Sequence, residues 1–592
     1  MRRLQLLALF FVSVLFIQCQ KEVGFGGGIE PKPAQPAPIT AVLHGNVLDE
    51  NGQPAPGVNV KVGAKTAVTD ARGYFRITDA PLDKNSALVT AEKPGYFKGY
   101  RTFNATSGAN QVLIQLIKRN LSGTIDAVTG GNVTLGNGLK IALPANGVVT
   151  ASNGSAYSGT VNVYAAYIDP TSQEIGRTVP GSLMADDKNG NRVVLSSYGM
   201  IAVELASPSG EKLQVKSGSK ATVTSPIPSS LQSSAPANIA LWSVNENTGI
   251  WKEEGMATKN GTAYVGEVSH FSFWNCDIGL PAVTVSMIIK TPDGDPLIHA
   301  WVRINTTGSN PSWAYGFTDS LGQVSGLVPA NQGLVLNVLN QCFEPVYTQN
   351  IGPYNQNTNL GTITLNQNAT SVMKTIRGIV KDCSNNIVTQ GYVRIYLGYS
   401  VLYAPLDNSG AFEANYFLCA NSPTTFQVLG VDEVNNQQSN IYNGNITGAV
   451  NDIGVITACG TSSSQFISYT LDGTNYNVSD ASDSLAAYTQ GVSGTTSGPF
   501  VTWIMGADNT SMGANISFSF NHDNQVAGTY PMATMNVQTF QQVVLNNAAN
   551  VVVTNFPASV GQFYEGSFSG SFTIGSTVHN VTNGQFRIRK DF

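Results

Sequence analysis

Gly45-Asn46-Val47-Leu48-Asp49-Glu50-Asn51-Gly52-Gln53-Pro54, then Gly57-Val58-Asn59-Val60-Lys61-Val62, then Thr69-Asp70-Ala71-Arg72-Gly73-Tyr74-Phe75, is the stretch that decides the fold. Asn51-Gly52 is a turn between strands, because glycine takes a positive φ without strain. Val58, Val60 and Val62 alternate with Asn59 and Lys61, the period of two that marks a strand with one buried face. Asp70 and Gly73 open a second turn, after which Phe75 re-enters a core. Short alternating strands separated by turns predict a small β-sandwich.

The same grammar returns twice. Asp293-Gly294-Asp295-Pro296 precedes Val302-Arg303-Ile304 and then Thr318-Asp319-Ser320-Leu321-Gly322-Gln323-Val324. Gly378-Ile379-Val380-Lys381-Asp382 precedes Val393-Arg394-Ile395 and then Asp407-Asn408-Ser409-Gly410-Ala411-Phe412, with Ser384-Asn385 in place of the Asn-Gly turn. All three copies keep an Asp, a Gly three residues later and an apolar residue two beyond it. On these motifs residues 42–118 resemble the carboxypeptidase-regulatory-like domain, a seven-stranded Greek-key sandwich of the transthyretin (prealbumin) type. Residues 281–367 and 374–459 resemble it more distantly. In metallocarboxypeptidases this domain stands beside the catalytic unit, so the resemblance implies a fold and a spacer or interaction role.

Residues 119–280 carry a different pattern. Alternation at Val161/Val163 and Ile201/Val203/Leu205 predicts strands. Leu143-Pro144-Ala145-Asn146, Trp251-Lys252-Glu253-Glu254-Gly255 and His270-Phe271-Ser272-Phe273-Trp274-Asn275 resemble the region that follows such a domain in cartilage intermediate layer protein and its relatives. Residues 463–592 form another β unit, closing with Glu565-Gly566-Ser567-Phe568-Ser569-Gly570 and Thr582-Asn583-Gly584-Gln585-Phe586, a hairpin resembling the end of many Bacteroidota lipoproteins. The expectation is an all-β chain of five tandem sandwiches, each able to fold by itself.

Composition agrees. Charged residues make up 12% of the chain, hydrophobic residues 42%, and there are 60 glycines. An apolar share of that size excludes a disordered chain. A net charge of −5 provides no electrostatic footprint for nucleic acid. At the N-terminus, Arg2 and Arg3 precede an apolar run over residues 4–17, too short to span a bilayer and of the length of a secretory signal. The run ends at Phe16-Ile17-Gln18-Cys19, which resembles the lipobox of lipoproteins of the Bacteroidota type, although Gln18 stands where a small residue is usual. The resemblance implies cleavage within residues 1–19, lipidation of Cys19 and attachment to a membrane, with the body at the outer membrane or cell surface. Residues 20–41, rich in Gly and Pro, are a tether of ~60–70 Å.

Chemistry is hard to assemble from the remaining residues. Among His44, His270, His299, His522 and His579 no two stand at metal-pair spacing. Gly566-Ser567-Phe568-Ser569-Gly570 places Phe where a nucleophile would stand. Asp186-Asp187-Lys188-Asn189-Gly190 reads as a hairpin turn before it reads as a calcium loop. No metal, cofactor or catalytic residue is expected. Trp301, out of phase with Val302 and Ile304, and Trp313 and Tyr315, flanking a loop, are ligand-binding candidates. Rigid aromatics on a sandwich stack on sugars or anchor a protein, or else cover a seam between units. Of the cysteines other than Cys19, three fall in the third copy (Cys383, Cys419 and Cys459), so one bridge is expected there, first of all at Cys383. The reading is a non-catalytic surface lipoprotein of spacer or interaction modules, adhesive or structural. It binds a membrane through its lipid and a protein or glycan at the surface, and no nucleic acid. The alternatives are a glycan-binding accessory of a polysaccharide uptake system and an unrecognised hydrolase.

Overall fold

The computed structural model describes residues 32–590 apart from 70–72, 309–310, 341, 367–372, 398–399, 419–422, 436, 460–464, 480–483, 492–498, 508–514, 538–542, 547–548 and 575–576. Cys19 and Cys419 therefore lie outside the described residues. The fold is all-β. Its helical content among the described residues is the single turn Ile175–Thr178 and the 3-10 turn Ser229–Leu231. No helix among them is long and apolar enough to cross a membrane.

One topology appears three times. In the first unit, Pro38–Leu48 pairs antiparallel with Tyr74–Asp83 and parallel with Asn110–Gln115. A four-stranded sheet faces it, in the order Lys65–Val68, Asn59–Val62, Ala87–Glu92, Gly99–Phe103. In the second unit the far half of Phe273–Lys290 pairs antiparallel with Gln323–Pro329 and parallel with Thr358–Thr364. In the third, Met373–Asp382 pairs antiparallel with Ala411–Phe417 and parallel with Val450–Ala458. The repeated turn has a physical cause. Asp319 Oδ1 accepts the backbone N–H of Leu321 and Gln323 (both 2.8 Å) and Asp407 Oδ1 those of Ser409 (2.7 Å) and Ala411 (2.9 Å), while Gly322 and Gly410 take φ of 74° and 71°. A short acceptor that closes the loop and a residue free to be left-handed make the turn.

The middle unit buries Trp274, Tyr198 and Tyr264 in its own core. It has no linker to the second repeat. Strand Phe273–Lys290 pairs with Arg192–Ala206 through Pro281 and with Gln323–Pro329 from Ala282 onward. The division expected at 280/281 thus falls inside one continuous strand, which welds the two units together. In the C-terminal unit, Gly528–Pro531 pairs with Asn550–Asn555 and Ile516–His522 pairs with the far end of the same strand, Gly528–Val537. A strand serving two sheets in this way forms a corner around one aromatic core.

The units are consecutive in sequence and clustered in space around the first sandwich. Thr102 donates from its hydroxyl to Gly249 O (3.0 Å) and from its N–H to Gly181 O (3.1 Å) in the middle unit. Ala109 N–H reaches Ser320 Oγ (3.3 Å) in the second repeat, and Arg76 pairs with Glu433 (2.9 Å) in the third. Val68 packs with Trp503 and Met505 of the C-terminal unit. Residues 38–118 keep a core of their own, including Leu43, Val58, Val60, Phe75 and Val89, but Tyr74, Phe97 and Tyr100 belong to clusters shared with neighbours. Expressed alone, this fragment is expected to give a β-type circular dichroism spectrum and to melt cooperatively, yet to self-associate through the uncovered aromatics. Light scattering after size exclusion checks this, and a monodisperse monomer would contradict it.

Candidate functional site

The aromatic hairpin of the second repeat is the place to begin. Trp301–Thr306 and Trp313–Phe317 pair so that Trp301 faces Phe317, Arg303 faces Tyr315 and Asn305 faces Trp313. Alternation sends Val302 and Ile304 into the repeat's own core and all of these other residues to its outer face. Side-chain phase thus places these residues correctly, and of the two roles weighed for them, an open ligand face or cover for a seam between units, they take the second. Trp301 and Trp313 are each 8% exposed and Tyr315 is half-buried. The reason is that so apolar a face is taken up by its neighbours. Trp313 joins Phe97, Tyr100 and Trp251 in the cluster between the first sandwich and the middle unit. Ser312 Oγ donates to Leu195 O (2.8 Å). Tyr315 lies so close to Gly176 that a Cβ there would stand 2.5 Å from its ring. Trp301 meets Phe343 edge-on at 4.5 Å, and the Arg177 guanidinium covers Phe343 at 4.2 Å.

These units do not close completely. A cavity of about 90 Å³ remains, and its walls include Arg101, Met184, Trp301, Trp313, Tyr315 and Asp319. Three sandwiches contribute to it. Arg101 comes from strand Gly99–Phe103 of the first sandwich and is 8% exposed. Its Nη1 donates to Gly181 O at 3.3 Å, whereas Nε and Nη2 have no partner among the described residues. Burial draws its pKa down to about 10, and the Tyr315 phenol opposes the shift. The indole N–H groups of Trp301 and Trp313 are likewise buried without a partner among the described residues.

A second cluster joins the three repeats. His44 and Arg76 are cross-strand partners on the first sandwich. His44 Nε2 lies 3.2 Å from His299 Nε2. The Tyr403 ring is 4.9 Å from that of His44, and its hydroxyl accepts from Arg76 Nη2 at 3.0 Å. Arg76 also stacks over Tyr392 at 4.2 Å. Burial holds His44 well below the usual histidine range, with His299 and Arg76 adding to it, and burial lowers His299 to about 4. Both imidazoles are neutral at pH 7, one donating and the other accepting. Sequence reading missed this pair, because two lone histidines 255 residues apart carry no shared signal.

Elsewhere the polar residues are committed to structure. Asp187 Oδ1 accepts from Asn189 and Asn191 N–H (both 2.8 Å) and Asp186 pairs with Arg192 (2.6 Å), so this loop is a hairpin turn. No group of three His, Cys, Asp or Glu able to hold a metal occurs among the described residues. His522 Nε2 lies 2.8 Å from Thr502 Oγ1 while Nδ1 meets Asn524 O at 3.1 Å, the arrangement of a nucleophile and an oriented base. Thr502 is fully buried, however, and its hydroxyl continues to Thr489 (2.6 Å) and Tyr564, a chain that ties strands together. Cys383 is bridged to Cys459. Cys342 is also disulfide-bonded. Cys276 is free and buried, and burial pushes its thiol far up.

Residues 42–116 match the carboxypeptidase regulatory-like domain. Cartilage intermediate layer protein 2 of Homo sapiens is 31% identical over 127 residues, covering 21% of this chain and 10% of that protein. The Mus musculus protein of the same name is 25% identical over 236 residues, 38% of this chain and 20% of that protein. The chain thus spans a fifth or less of the length of these relatives. Among solved structures, the shaft pilin SpaA of Lactobacillus rhamnosus GG aligns over 30% of this chain and 98% of its own at 9% identity and a TM-score of 0.17. The Bacillus anthracis TIE protein aligns over 65% of this chain and 69% of its own at 8% identity and a TM-score of 0.13. Superpositions at these scores carry no argument about function.

Proposed function

We propose that the chain is a non-catalytic scaffold of the cell envelope, structural or adhesive, held by lipid on Cys19 with its body at the outer membrane or cell surface. The observation that supports this most is mechanical. The first sandwich contacts each of the other four units, and strand Phe273–Lys290 runs unbroken from one unit into the next. Sandwiches welded in this way resist hinging, as a spacer or adhesive body must. The alternative of a glycan-binding accessory rested on open aromatics. With Trp301 and Trp313 buried, that reading has no extended stacking platform on this hairpin.

Two measurements test the proposal. Cys19→Ala is expected to move the protein out of the membrane fraction or leave it unprocessed. Unchanged fractionation with no lipid mass on the mature N-terminus would remove the anchor from the proposal. A screen of peptides, esters and polysaccharides, with and without zinc or calcium, is expected to show no turnover. Turnover that vanishes on changing one polar residue would establish the hydrolase reading instead.

A further inference from the structure

We propose that the cavity between the first sandwich, the middle unit and the second repeat binds a small organic monocarboxylate, with its carboxylate on Arg101 and its body among Trp301, Trp313 and Tyr315. Such a site goes beyond the scaffold role and does not depend on the lipid anchor. Arg101 keeps its charge at neutral pH, yet two of its nitrogens find no acceptor among the described residues. The group that supports its charge is a phenol, not a carboxylate. A buried cation without a counter-ion is costly, and a planar guanidinium matches a carboxylate through paired N–H bonds. The other unpartnered nitrogens on the wall, the indole N–H groups of Trp301 and Trp313, are donors too, so this side of the site favours a ligand group that accepts. The side chains around it are aromatic, which suits a short apolar body. Asp319 also lines the space, with Oδ1 held by Leu321 and Gln323 N–H and Oδ2 buried without a partner among the described residues, so its negative charge disfavours a dicarboxylate and its open oxygen suits a hydroxyl on the ligand. A dry cavity of roughly 150 Å³ accepts benzene, so this one of about 90 Å³ is too small for an aromatic ring and takes a short aliphatic acid of the size of propionate.

Isothermal titration of the full chain at pH 7 tests this with sodium propionate, sodium lactate and 1-propanol at constant ionic strength. Saturable propionate binding at one site is expected, at least tenfold tighter than 1-propanol. Tighter binding of lactate would support the same carboxylate chemistry and identify a hydroxy acid as its source. Arg101→Met is expected to weaken binding at least tenfold. Gly326→Val provides a variant that leaves every charge in place. Gly326 lies on the cavity wall in strand Gln323–Pro329, and a Cβ there meets nothing within 4 Å. This variant is expected to fold, by circular dichroism, and to lose binding through occlusion, so it decides the matter if Arg101→Met does not fold. Absence of saturable binding by either acid, equal affinity for 1-propanol, or unchanged affinity in a folded variant would overturn the proposal.

Discussion

Lowering the pH from 7 to 4.5 is expected to destabilise the block at its centre by about 2–3 kcal/mol through His299 alone, with His44 adding in the same direction. The sign follows from the proton inventory. His299 titrates near 4 in the folded chain and near the usual 6.5 when unfolded, so between these values the unfolded chain binds the extra proton. Stability is therefore intact above about pH 6.5 and falls as the pH drops toward 4. The groups that face the pair are Arg76 from the first sandwich and Tyr403 from the third repeat, and neither offers a negative charge to receive a second imidazolium. His522, whose pKa burial also lowers, acts in the same window and with the same sign. The turn aspartates Asp187, Asp382 and Asp407 are held below the usual carboxylate range and lose their contribution only at lower pH, whereas burial raises Asp277 well above that range, so Asp277 gains stability as the pH falls and opposes the histidines; the comparison with a His299 variant isolates the junction. Urea midpoints across this range provide the measurement. His299→Asn removes the titrating group and suits its left-handed backbone, φ 54°, because asparagine tolerates that region. Its midpoint is expected to depend less steeply on pH than that of the native chain. An unaltered slope in the variant would show that the junction does not couple to protonation.

Local rules made the sandwiches legible, and side-chain phase made half of the candidate site legible. The Asp-to-Gly turn could be read because its cause is local, an acceptor and a left-handed residue within five positions. The assignment of Trp301 to the outer face of its hairpin was equally local. What then covers that face depends on Gly176 and Arg101, which lie on other units and follow no pattern that includes Trp301. For the same reason the histidine pair could not be read. His44 and His299 each look like an isolated polar residue beside a strand, and only the docking of repeat on repeat brings their rings together. The boundary near 280 is where the strand changes partners, between Pro281 and Ala282. What could not be read is that no linker separates the two units, because both lie along one strand, Phe273–Lys290.

Removal of the Cys383–Cys459 bridge is expected to be the other large effect, a loss of about 2–4 kcal/mol in the third repeat. The bridge follows two parallel neighbours. Asp382 and Ala458 are the last paired residues of Met373–Asp382 and Val450–Ala458, and the cysteines come immediately after them. A parallel pair has no hairpin to hold its ends, so the chain must close a long loop to form it. The two cysteines are 76 residues apart, and cross-linking a loop of that length removes about 4 kcal/mol of closure entropy from the unfolded chain. This repeat also lacks the glycine of the first turn. Asn385 takes φ 66° in the loop that Asp382 closes through Ser384 and Asn386 N–H, so local chemistry offers it less compensation than it offers the first copy. The check is hydrogen exchange on Cys383→Ser/Cys459→Ser. Amides of Met373–Asp382 and Val450–Ala458 are expected to exchange about 30-fold faster or more, the equivalent of about 2 kcal/mol. The core of the middle unit around Trp274 should keep its protection. Unchanged exchange in the two bridged strands would mean that packing against the first sandwich, through Arg76, Tyr392 and Tyr403, already holds the repeat closed without its covalent link.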